Sequence, residues 1–250
     1  MKVLISVVSL DEARLVADAS VDVIDVKNPM EGSLGAQTPW VIREIAEHAR
    51  SRGIAVSATL GDLPALPGTA ALAAFGAAQF EVDYIKVGLH GTKTFDKAAQ
   101  LLAAIRCSVR LANCSAAIVA AGYADFRRFG GLVPADLVRA AAVTECDVVM
   151  LDTADKQAGN LFDAMPVGEL ESFVQSARRV GLLVALAGSI QTEHLPALRR
   201  LAPDIIGVRG AVCVKNDRTS IIDIAAVRRF IEIARTKSGH ETPIAAVSQP

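Results

Sequence analysis

The sequence has almost no excess of charge of either sign. Its 250 residues include 26 basic and 27 acidic side chains, and no long block of one sign occurs. Nothing in this balance points to binding of a nucleic acid or of an anionic membrane surface. No apolar run approaches the roughly 20 residues that a membrane-spanning helix needs. We therefore expect a small-molecule ligand, with neither a nucleic acid nor a membrane as partner.

Cysteine is also scarce, and its spacing suggests no chemistry. The cysteines form no CxxC motif and have no histidines at metal-ligand intervals. At 52% hydrophobic residues the chain can form a core without disulfide bonds, which favours reduced thiols, a cytoplasmic location and no metal site. The N-terminal run MKVLISVVSLDEARL has acidic residues directly after a short apolar stretch and no small-residue cleavage site, so it predicts a strand and not a signal peptide. The four cysteines are Cys107, Cys114, Cys146 and Cys213.

Short β-rich runs alternate with helical patterns along the whole chain. The length of 250 residues fits one large domain or two small ones, so the order of elements has to decide between them. The eight predicted strands span residues 3–8, 22–27, 54–60, 82–88, 116–122, 146–152, 182–188 and 204–210. The eight predicted helices lie near residues 10–19, 38–51, 69–79, 93–106, 133–143, 167–180, 192–201 and 221–236.

This regular alternation predicts parallel strands joined by crossover helices. Eight such units in about 250 residues match the size of a single (β/α)8 TIM barrel. The main alternative is a doubly wound open sheet, which usually has fewer strands and needs a glycine-rich turn after the first strand, where this chain reads SLDEA. We therefore predict an α/β protein with one (β/α)8 barrel over residues 1–236 and a flexible C-terminal tail over residues 237–250.

Charged residues stand where three of the predicted strands end, and such strand ends form the active sites of TIM barrels. Asp25 and Lys27 share one face at the end of strand two, Lys86 ends strand four, Asp152 ends strand six, and Lys156 follows in the next loop. Each charge alone suits a solvated strand end, but as a group they predict one pocket. A desolvated lysine near other cations loses its proton readily, which makes it a candidate nucleophile for a carbonyl group, and aspartates beside it can transfer protons.

Glycines stand at the ends of the last two predicted strands. The segment LAGS contains Gly188 and Ser189, and the segment GVRGA contains Arg209 and Gly210. Loops after strands seven and eight of such barrels often bind phosphate. Glycine lets backbone N–H groups approach an anion, and an arginine adds charge-assisted hydrogen bonds. Each segment alone is compatible with an ordinary tight turn, but the pair predicts a phosphorylated substrate.

Two other side chains near strand ends carry less information. His90 has no second histidine or cysteine at ligand spacing, so a hydrogen-bonding role at the surface is favoured over a metal site. Tyr123, at the end of strand five, is a candidate proton donor or a wall of the pocket, and we favour the wall.

Seven segments, in order along the chain, resemble one known family. They are IDVKNPMEGSLGA, SATLGDLP, DYIKVGLHGTK, VAAGYADF, MLDTADK, VALAGSI and GVRGAVC. Together they resemble the (5-formylfuran-3-yl)methyl phosphate synthase family, also called 4-(hydroxymethyl)-2-furancarboxaldehyde-phosphate synthase. The resemblance runs from about Ile5 to the last helix.

The resemblance implies a class I aldolase-like barrel and a lyase of one-carbon metabolism. Such a lyase joins two molecules of glyceraldehyde 3-phosphate into a furan aldehyde phosphate, an early intermediate of methanofuran-type carriers. The conversion has no net redox change, so we expect no cofactor. The family's functional residues fall in the motifs IDVKNP, YIKVG and MLDTADK, which implies roles here for Asp25, Lys27, Lys86, Asp152 and Lys156.

The roles of these residues follow as a hypothesis. Lys27 forms a Schiff base with a triose phosphate and Asp25 assists proton transfer, with Lys86 as the alternative imine-forming residue. Lys86 and Lys156 lower the pKa of Lys27 and help to bind or expel phosphate. Asp152 is a further acid or base near the condensing carbon.

Alternatives stay open at this point. A class I aldolase or a phosphosugar isomerase would share the barrel, the lysine and the phosphate site, and a barrel that only binds a phosphorylated metabolite is a non-enzymatic alternative. Asp155, an added charge in the TAD segment of the MLDTADK motif, has no predicted effect. The alanine-rich helices suit contacts in a homo-oligomer as well as they suit a monomer.

Overall fold

Eight parallel strands form a closed barrel in the computed structural model, which describes residues 1–236. The strands pair in chain order, and the last pairs with the first to close the sheet. The predicted (β/α)8 barrel is confirmed; the open-sheet alternative is wrong because its two outer strands would not pair with each other. The predicted tail at 237–250 lies outside the described residues. The strands are β1 Lys2–Val7, β2 Val23–Val26, β3 Ala55–Pro64, β4 Tyr84–Gly91, β5 Ala117–Tyr123, β6 Val148–Asp152, β7 Leu183–Leu186 and β8 Ile205–Val208.

Helices cover the outside of the barrel, and all eight predicted ones are present. The helix predicted near 93–106 continues to Leu111, because Ser108 and Val109 are buried and the Ser108 hydroxyl donates to the Ala71 carbonyl at 2.6 Å. Two one-turn helices, Phe126–Phe129 and Leu161–Ala164, were not predicted. None of the helices in residues 1–236 is long and apolar enough to span a bilayer. They are α1 Leu10–Ala17, α2 Pro39–Ser51, α3 Pro67–Ala78, α4 Phe95–Leu111, α5 Phe126–Phe129, α6 Pro134–Val143, α7 Leu161–Ala164, α8 Val167–Arg179, α9 Leu195–Leu201 and α10 Ile224–Arg235.

Alternate residues of the strands face two different apolar layers. On β2, Ile24 and Val26 pack in the layer between strands and helices, whereas Val23 packs inside the barrel. Burial of one such side chain contributes about 1.5–3 kcal/mol, so the extensive outer layer stabilises the barrel. Asp25 shares the inward face with Val23 because side chains alternate along a strand. The strand is therefore held by its outer face while its inner face is available for chemistry.

Four aspartates repeat at the N-terminal end of the barrel. Each directly precedes an even-numbered strand, and its carboxylate accepts a hydrogen bond of 2.7–2.8 Å from the backbone N–H of the second residue of the preceding strand. These bonds satisfy N–H groups at the edge of the sheet. Aspartates at this end therefore have a structural role, unlike Asp25 and Asp152 at the other end. The pairs are Asp22 with Val3, Asp83 with Val56, Asp147 with Ile118, and Asp204 with Val184.

Candidate active site

One pocket at the C-terminal end of the barrel is lined by all five ionisable residues that the sequence places near strand ends. Asp25 lies on β2, Lys86 on β4 and Asp152 at the end of β6. Lys27 directly follows β2, and Lys156 lies in the loop after β6. Neighbouring even-numbered strands direct these side chains towards one another, because their inward-facing positions lie in the same layers of the barrel.

Asp25 and Lys86 form a fully buried ion pair in the pocket. The Nζ atom of Lys86 lies 2.7 Å from Oδ1 of Asp25, and the Ser6 hydroxyl donates to Oδ2 at 2.8 Å. Burial alone would raise the pKa of Asp25, but the charges of Lys86 and Lys27 together hold that pKa below its usual value. Asp25 is therefore an ionised hydrogen-bond acceptor. Removal of one partner from such a pair costs about 3–5 kcal/mol, because the other charge stays buried and uncompensated.

Lys27 is buried without a carboxylate of its own. Its backbone N–H extends the β1–β2 ladder by donating to the Val7 carbonyl at 3.1 Å. Among residues 1–236, its side-chain nitrogen has one hydrogen bond, to the carbonyl oxygen of Ser33 at 3.4 Å. Burial is the main cause that lowers the pKa of Lys27 to about 7. The charge of Asp152 opposes this effect, and the charge of Lys86 adds to it. At neutral pH a large fraction of Lys27 side chains therefore carries the unprotonated amine that a nucleophile requires.

Asp152, which is buried, and Lys156, which is partly buried, form a second ion pair. The Lys156 ammonium contacts Oδ1 of Asp152 and donates to the Thr153 hydroxyl at 3.1 Å. Burial alone would raise the pKa of Asp152, but the charges of Lys156 and Lys27 outweigh it and hold that pKa at about 2. Burial lowers the pKa of Lys156, and Asp152 opposes this effect. Asp152 is therefore a carboxylate across the physiological pH range.

A buried aspartate fixes the loop that carries Lys156. The carboxylate of Asp125 accepts hydrogen bonds from the backbone N–H groups of Ala154 at 2.8 Å and Asp155 at 2.9 Å. The side chain of Asp155 is exposed and accepts the backbone N–H of Gln157 at 2.9 Å. Asp155 thus shapes the turn before α7 and does not line the pocket, which answers the question that the sequence left open.

Gly188, Ser189 and Gly210 line the pocket at the ends of β7 and β8. Gly188 has a φ of 114°, and a Cβ there would lie 3.0 Å from the Thr153 methyl group, so only glycine fits. Gly210 packs closely against the next loop, because an added Cβ would lie 3.2 Å from the Asn216 carbonyl oxygen. These residues bring bare backbone to the pocket wall, as an anion site requires. Their phosphate-binding role stays a prediction.

Arg209 also lines the pocket, but all its donors are engaged within the protein. Its two terminal nitrogens donate to the buried Glu12 carboxylate at 2.8 and 3.2 Å, and also to the carbonyl oxygens of Ser6 at 2.9 Å and Ser220 at 3.2 Å. Its Nε donates to the Arg218 carbonyl at 2.6 Å. The predicted contact of Arg209 with phosphate stays untested, and this geometry does not favour it because no N–H is left for an anion.

Two residues at the site have no counterpart among the sequence predictions. The carbonyl oxygen of Ser33 accepts a hydrogen bond from the Lys27 side chain, and the Ser33 hydroxyl donates to the Thr153 carbonyl at 2.8 Å. Arg218, in the loop after β8, lines the pocket and donates to the Gly32 carbonyl at 3.1 Å. Both belong to loops at the C-terminal end of the barrel. Their place after even-numbered strands was the signal that could have identified them.

A second polar cluster lies beside the pocket at the ends of β3, β4 and β5. The Tyr123 hydroxyl donates to one oxygen of Asp62, and the Leu34 backbone N–H donates to the other at 3.3 Å. Burial raises the pKa of Asp62, although the hydrogen bond from Leu34 opposes it. His90 is exposed and stacks on Phe129 with ring centroids 4.3 Å apart. Tyr123 is not among the residues that line the pocket, so the structure does not support its favoured assignment as a pocket wall; its hydroxyl instead helps to hold the loop after β2.

Known proteins similar to this chain identify its family. A family model described as 4-HFC-P synthase matches residues 3–231. The chain belongs to the 4-HFC-P synthase family. A protein from Archaeoglobus fulgidus named (5-formylfuran-3-yl)methyl phosphate synthase is 50% identical over 232 residues, which cover 93% of this chain and 98% of that protein. A protein of the same name from Methanothermobacter thermautotrophicus is 47% identical over 234 residues, with coverage of 93% and 98%. The family resemblance stated from the seven motifs is confirmed.

Solved structures share the barrel of this 4-HFC-P synthase family member at low sequence identity. Deoxyribose phosphate aldolase from Aeropyrum pernix has a TM-score of 0.60 at 15% identity, covering 83% of this chain and 85% of that one. KGPDC from Streptococcus mutans has a TM-score of 0.62 at 13% identity, with coverage of 94% and 97%. Likeness at this identity shows the fold alone. The named synthase relatives, together with the barrel, support an enzyme.

Proposed function

We propose that this protein condenses two molecules of glyceraldehyde 3-phosphate into (5-formylfuran-3-yl)methyl phosphate, for biosynthesis of a methanofuran-type carrier. The names of the family relatives supply the product. The observation that carries the proposal for this chain is the buried Lys27 amine, which lies among two aspartates and two further lysines and has no carboxylate bound to it within residues 1–236. Such an amine is suited to attack a carbonyl carbon.

The atoms of the proposed reaction balance without an oxidant or reductant. Two C3H7O6P units lose one H3PO4 and two H2O to give C6H7O6P. Condensation, elimination and dehydration are therefore sufficient. These steps need a nucleophilic amine, groups that exchange protons and sites for phosphate, and the pocket contains candidates for each of them.

The first step is formation of an imine between Lys27 and the carbonyl group of one triose phosphate. The unprotonated Nζ adds to the carbonyl carbon, and the oxygen leaves as water after protonation. Loss of a proton from the adjacent carbon then gives an enamine, whose carbon attacks the aldehyde of the second triose. Elimination of one phosphate, ring closure, loss of two molecules of water and hydrolysis of the imine release the furan and free Lys27.

The aspartates suit the proton transfers of this sequence. Asp25 is ionised and close to Lys86, so this pair can accept a proton on the carboxylate side and donate one from the ammonium. Asp152 has the same relation to Lys156. Each pair therefore supports both addition and elimination steps.

Lys27 is a better imine-forming residue than Lys86, the alternative. The Nζ atom of Lys86 is held 2.7 Å from the buried Asp25 carboxylate, so attack by Lys86 on a carbonyl group would break this ion pair. Lys27 instead bonds only to the Ser33 carbonyl among the described residues. A carbonyl oxygen accepts a hydrogen bond from an uncharged amine as well as from an ammonium.

The test is turnover of glyceraldehyde 3-phosphate, followed through release of phosphate and appearance of the furan-aldehyde ultraviolet band. Wild type and a Lys97→Ala control, changed at an exposed position of α4, should both form product, and Lys27→Ala should not. A linear sugar phosphate as the product would favour the aldolase alternative.

Borohydride trapping with substrate, followed by peptide mass mapping, tests the assignment of the nucleophile. We expect the reduced adduct on the peptide that contains Lys27. An adduct confined to the peptide that contains Lys86 would refute this choice.

A further inference from the structure

A short hairpin after β8 brings Arg218 into the pocket. Its two arms are joined by the antiparallel bridge between Cys213 and Ile222 and by a hydrogen bond of 3.0 Å from the Val214 N–H to the Ile221 carbonyl. Arg218 lies close to the tip of this hairpin, and its side chain lines the pocket. From there it reaches the loop after β2, where it donates to a backbone carbonyl.

A buried ion pair fixes the position of this hairpin. Arg209 is 6% exposed and binds Glu12, which is 7% exposed and lies in the first turn of α1. The same guanidinium group donates to two carbonyl oxygens of the hairpin, those of Arg218 and Ser220. The backbone that carries Arg218 is thus held in place before any ligand binds, which reduces the entropy lost on binding.

The charges of the pocket are unevenly paired. Five cationic side chains line it, and three of them pair with a carboxylate within the described part of the chain. A fourth, Lys27, has a pKa of about 7 and is only partly charged at neutral pH. The three pairs are Lys86 with Asp25, Lys156 with Asp152, and Arg209 with Glu12.

Arg218 is the remaining cation of the pocket. Within residues 1–236 it forms no ion pair, and its one side-chain hydrogen bond goes to the Gly32 carbonyl at 3.1 Å. A guanidinium group has five N–H donors, so most of those of Arg218 are available to a ligand. Its permanent positive charge and planar donor geometry are complementary to a phosphate group.

We infer that Arg218 binds a phosphate monoester group in this pocket, at a subsite separate from the backbone of Gly188 and Ser189. This inference rests on the proposed function, in which two phosphorylated trioses must occupy the pocket together and therefore need two anion subsites. The glycine-lined wall accommodates one phosphate, and Arg218 supplies the charge for the other. Arg209 acts as a positioning residue that holds the hairpin.

Binding of phosphate compounds tests the inference independently of turnover. The probes are inorganic phosphate and glycerol 3-phosphate, which has no carbonyl group and so forms no imine with Lys27. Titration calorimetry compares wild type with Arg218→Gln and Arg218→Lys. Lys215→Gln is the matched control, because it removes a positive charge from an exposed residue of the same hairpin that does not line the pocket.

We expect Arg218→Gln to weaken glycerol 3-phosphate binding by roughly 10- to 100-fold, the range for loss of a charge-assisted hydrogen-bonded contact. Arg218→Lys should show an intermediate loss, and Lys215→Gln should bind within about twofold of wild type. In a further variant, Arg218→Ala, added guanidinium ion should partly restore binding. Equal thermal midpoints of wild type and Arg218→Gln would show that the loss does not come from unfolding.

Binding by Arg218→Gln within twofold of wild type would overturn the inference, as would an equal loss in Lys215→Gln. If wild type makes no furan but its binding of glycerol 3-phosphate depends on Arg218, the proposed reaction fails and the subsite stands. If wild type makes the furan and Arg218→Gln keeps both its affinity and its KM, the reaction stands and the subsite fails.

Discussion

Replacement of Lys27 by methionine would separate the energetic cost of the buried amine from its chemistry. Methionine keeps the unbranched shape of the side chain and removes its charge. The pKa of Lys27 falls from an ordinary 10.5 to about 7 on burial, so the folded protein must release a proton that the unfolded chain keeps. Lys27 therefore destabilises the fold at every pH below 10.5, and this penalty grows as the pH falls from 10.5 to 7.

The size of the penalty follows from the two pKa values. At 1.36 kcal/mol per pKa unit, the difference between 10.5 and about 7 corresponds to about 5 kcal/mol below pH 7. At pH 9 the penalty has fallen to about 2 kcal/mol. The pH is then closer to 10.5, so less free energy is needed to remove the proton that the unfolded chain binds. Urea denaturation of wild type and Lys27→Met at pH 6 and pH 9 measures both values.

We expect Lys27→Met to be inactive and more stable than wild type, with an advantage that shrinks between pH 6 and pH 9. Lys97→Met, at an exposed position of α4, should change neither stability nor turnover. A stability difference that is independent of pH would refute the reasoning. So would a lower stability of Lys27→Met at pH 6, because Lys27 would then be a favourably placed ammonium and a poor nucleophile.

Four further predictions concern other parts of the molecule. The kcat/KM of wild type should rise tenfold per pH unit below pH 7 and level off above it, because Lys27 must lose its proton to react; a flat profile from pH 5 to 7 would contradict this. Asp204→Ala should lower the free energy of unfolding by about 1–3 kcal/mol, because the backbone N–H of Val184 on β7 loses its hydrogen-bond acceptor. It should leave kcat unchanged, because this contact lies at the opposite end of the barrel from the pocket. Gly188→Ala should weaken binding of inorganic phosphate and lower the thermal midpoint, because its φ of 114° and its 3.0 Å approach to Thr153 leave no room for a methyl group; unchanged affinity would remove Gly188 from the anion site. Lys86→Met should move the acid limb of the pH profile to higher pH, since Asp25 would then favour the protonated form of Lys27; a limb that stays in place would show that Lys86 does not control this pKa.

The order of elements was predictable from the sequence because each strand has a strong local pattern. In VDVIDVKNP, the alternation of Ile24 and Val26 with Val23 and Asp25 already assigns one face to the helices and the other to the barrel interior. The one-turn helices α5 and α7 were missed because four residues are too few for helical periodicity. In α7 a local cap starts the helix, because the Asn160 side chain accepts the N–H of Phe162 at 2.8 Å.

Residues of the candidate site could be predicted from the sequence only where a charged residue stands at the end of an apolar strand. Asp25 and Asp152 stand out because they end apolar strands. The choice between Arg209 and Arg218 depends instead on Glu12, which lies 197 residues from Arg209 in the chain and engages its guanidinium group. No pattern within a short segment records such a partner. The sequence therefore indicates an arginine near strand eight but not which of the two is available to a ligand.

Lys27 and Arg218, the two pocket cations that bind no carboxylate within residues 1–236, differ in their protonation. Asp25 and Asp152 each form an ion pair with another lysine, and their charges only partly oppose the effect of burial on Lys27. Burial is the main cause that favours the uncharged form of the Lys27 amine, and the charges of Lys86 and Lys156 add to it. Arg218 cannot respond in the same way, because a guanidinium group keeps its proton in proteins. The three ion pairs thus leave two cations of the pocket without a bound carboxylate within residues 1–236. We expect Lys27 to attack the carbonyl carbon of a triose phosphate and Arg218 to bind a substrate phosphate group.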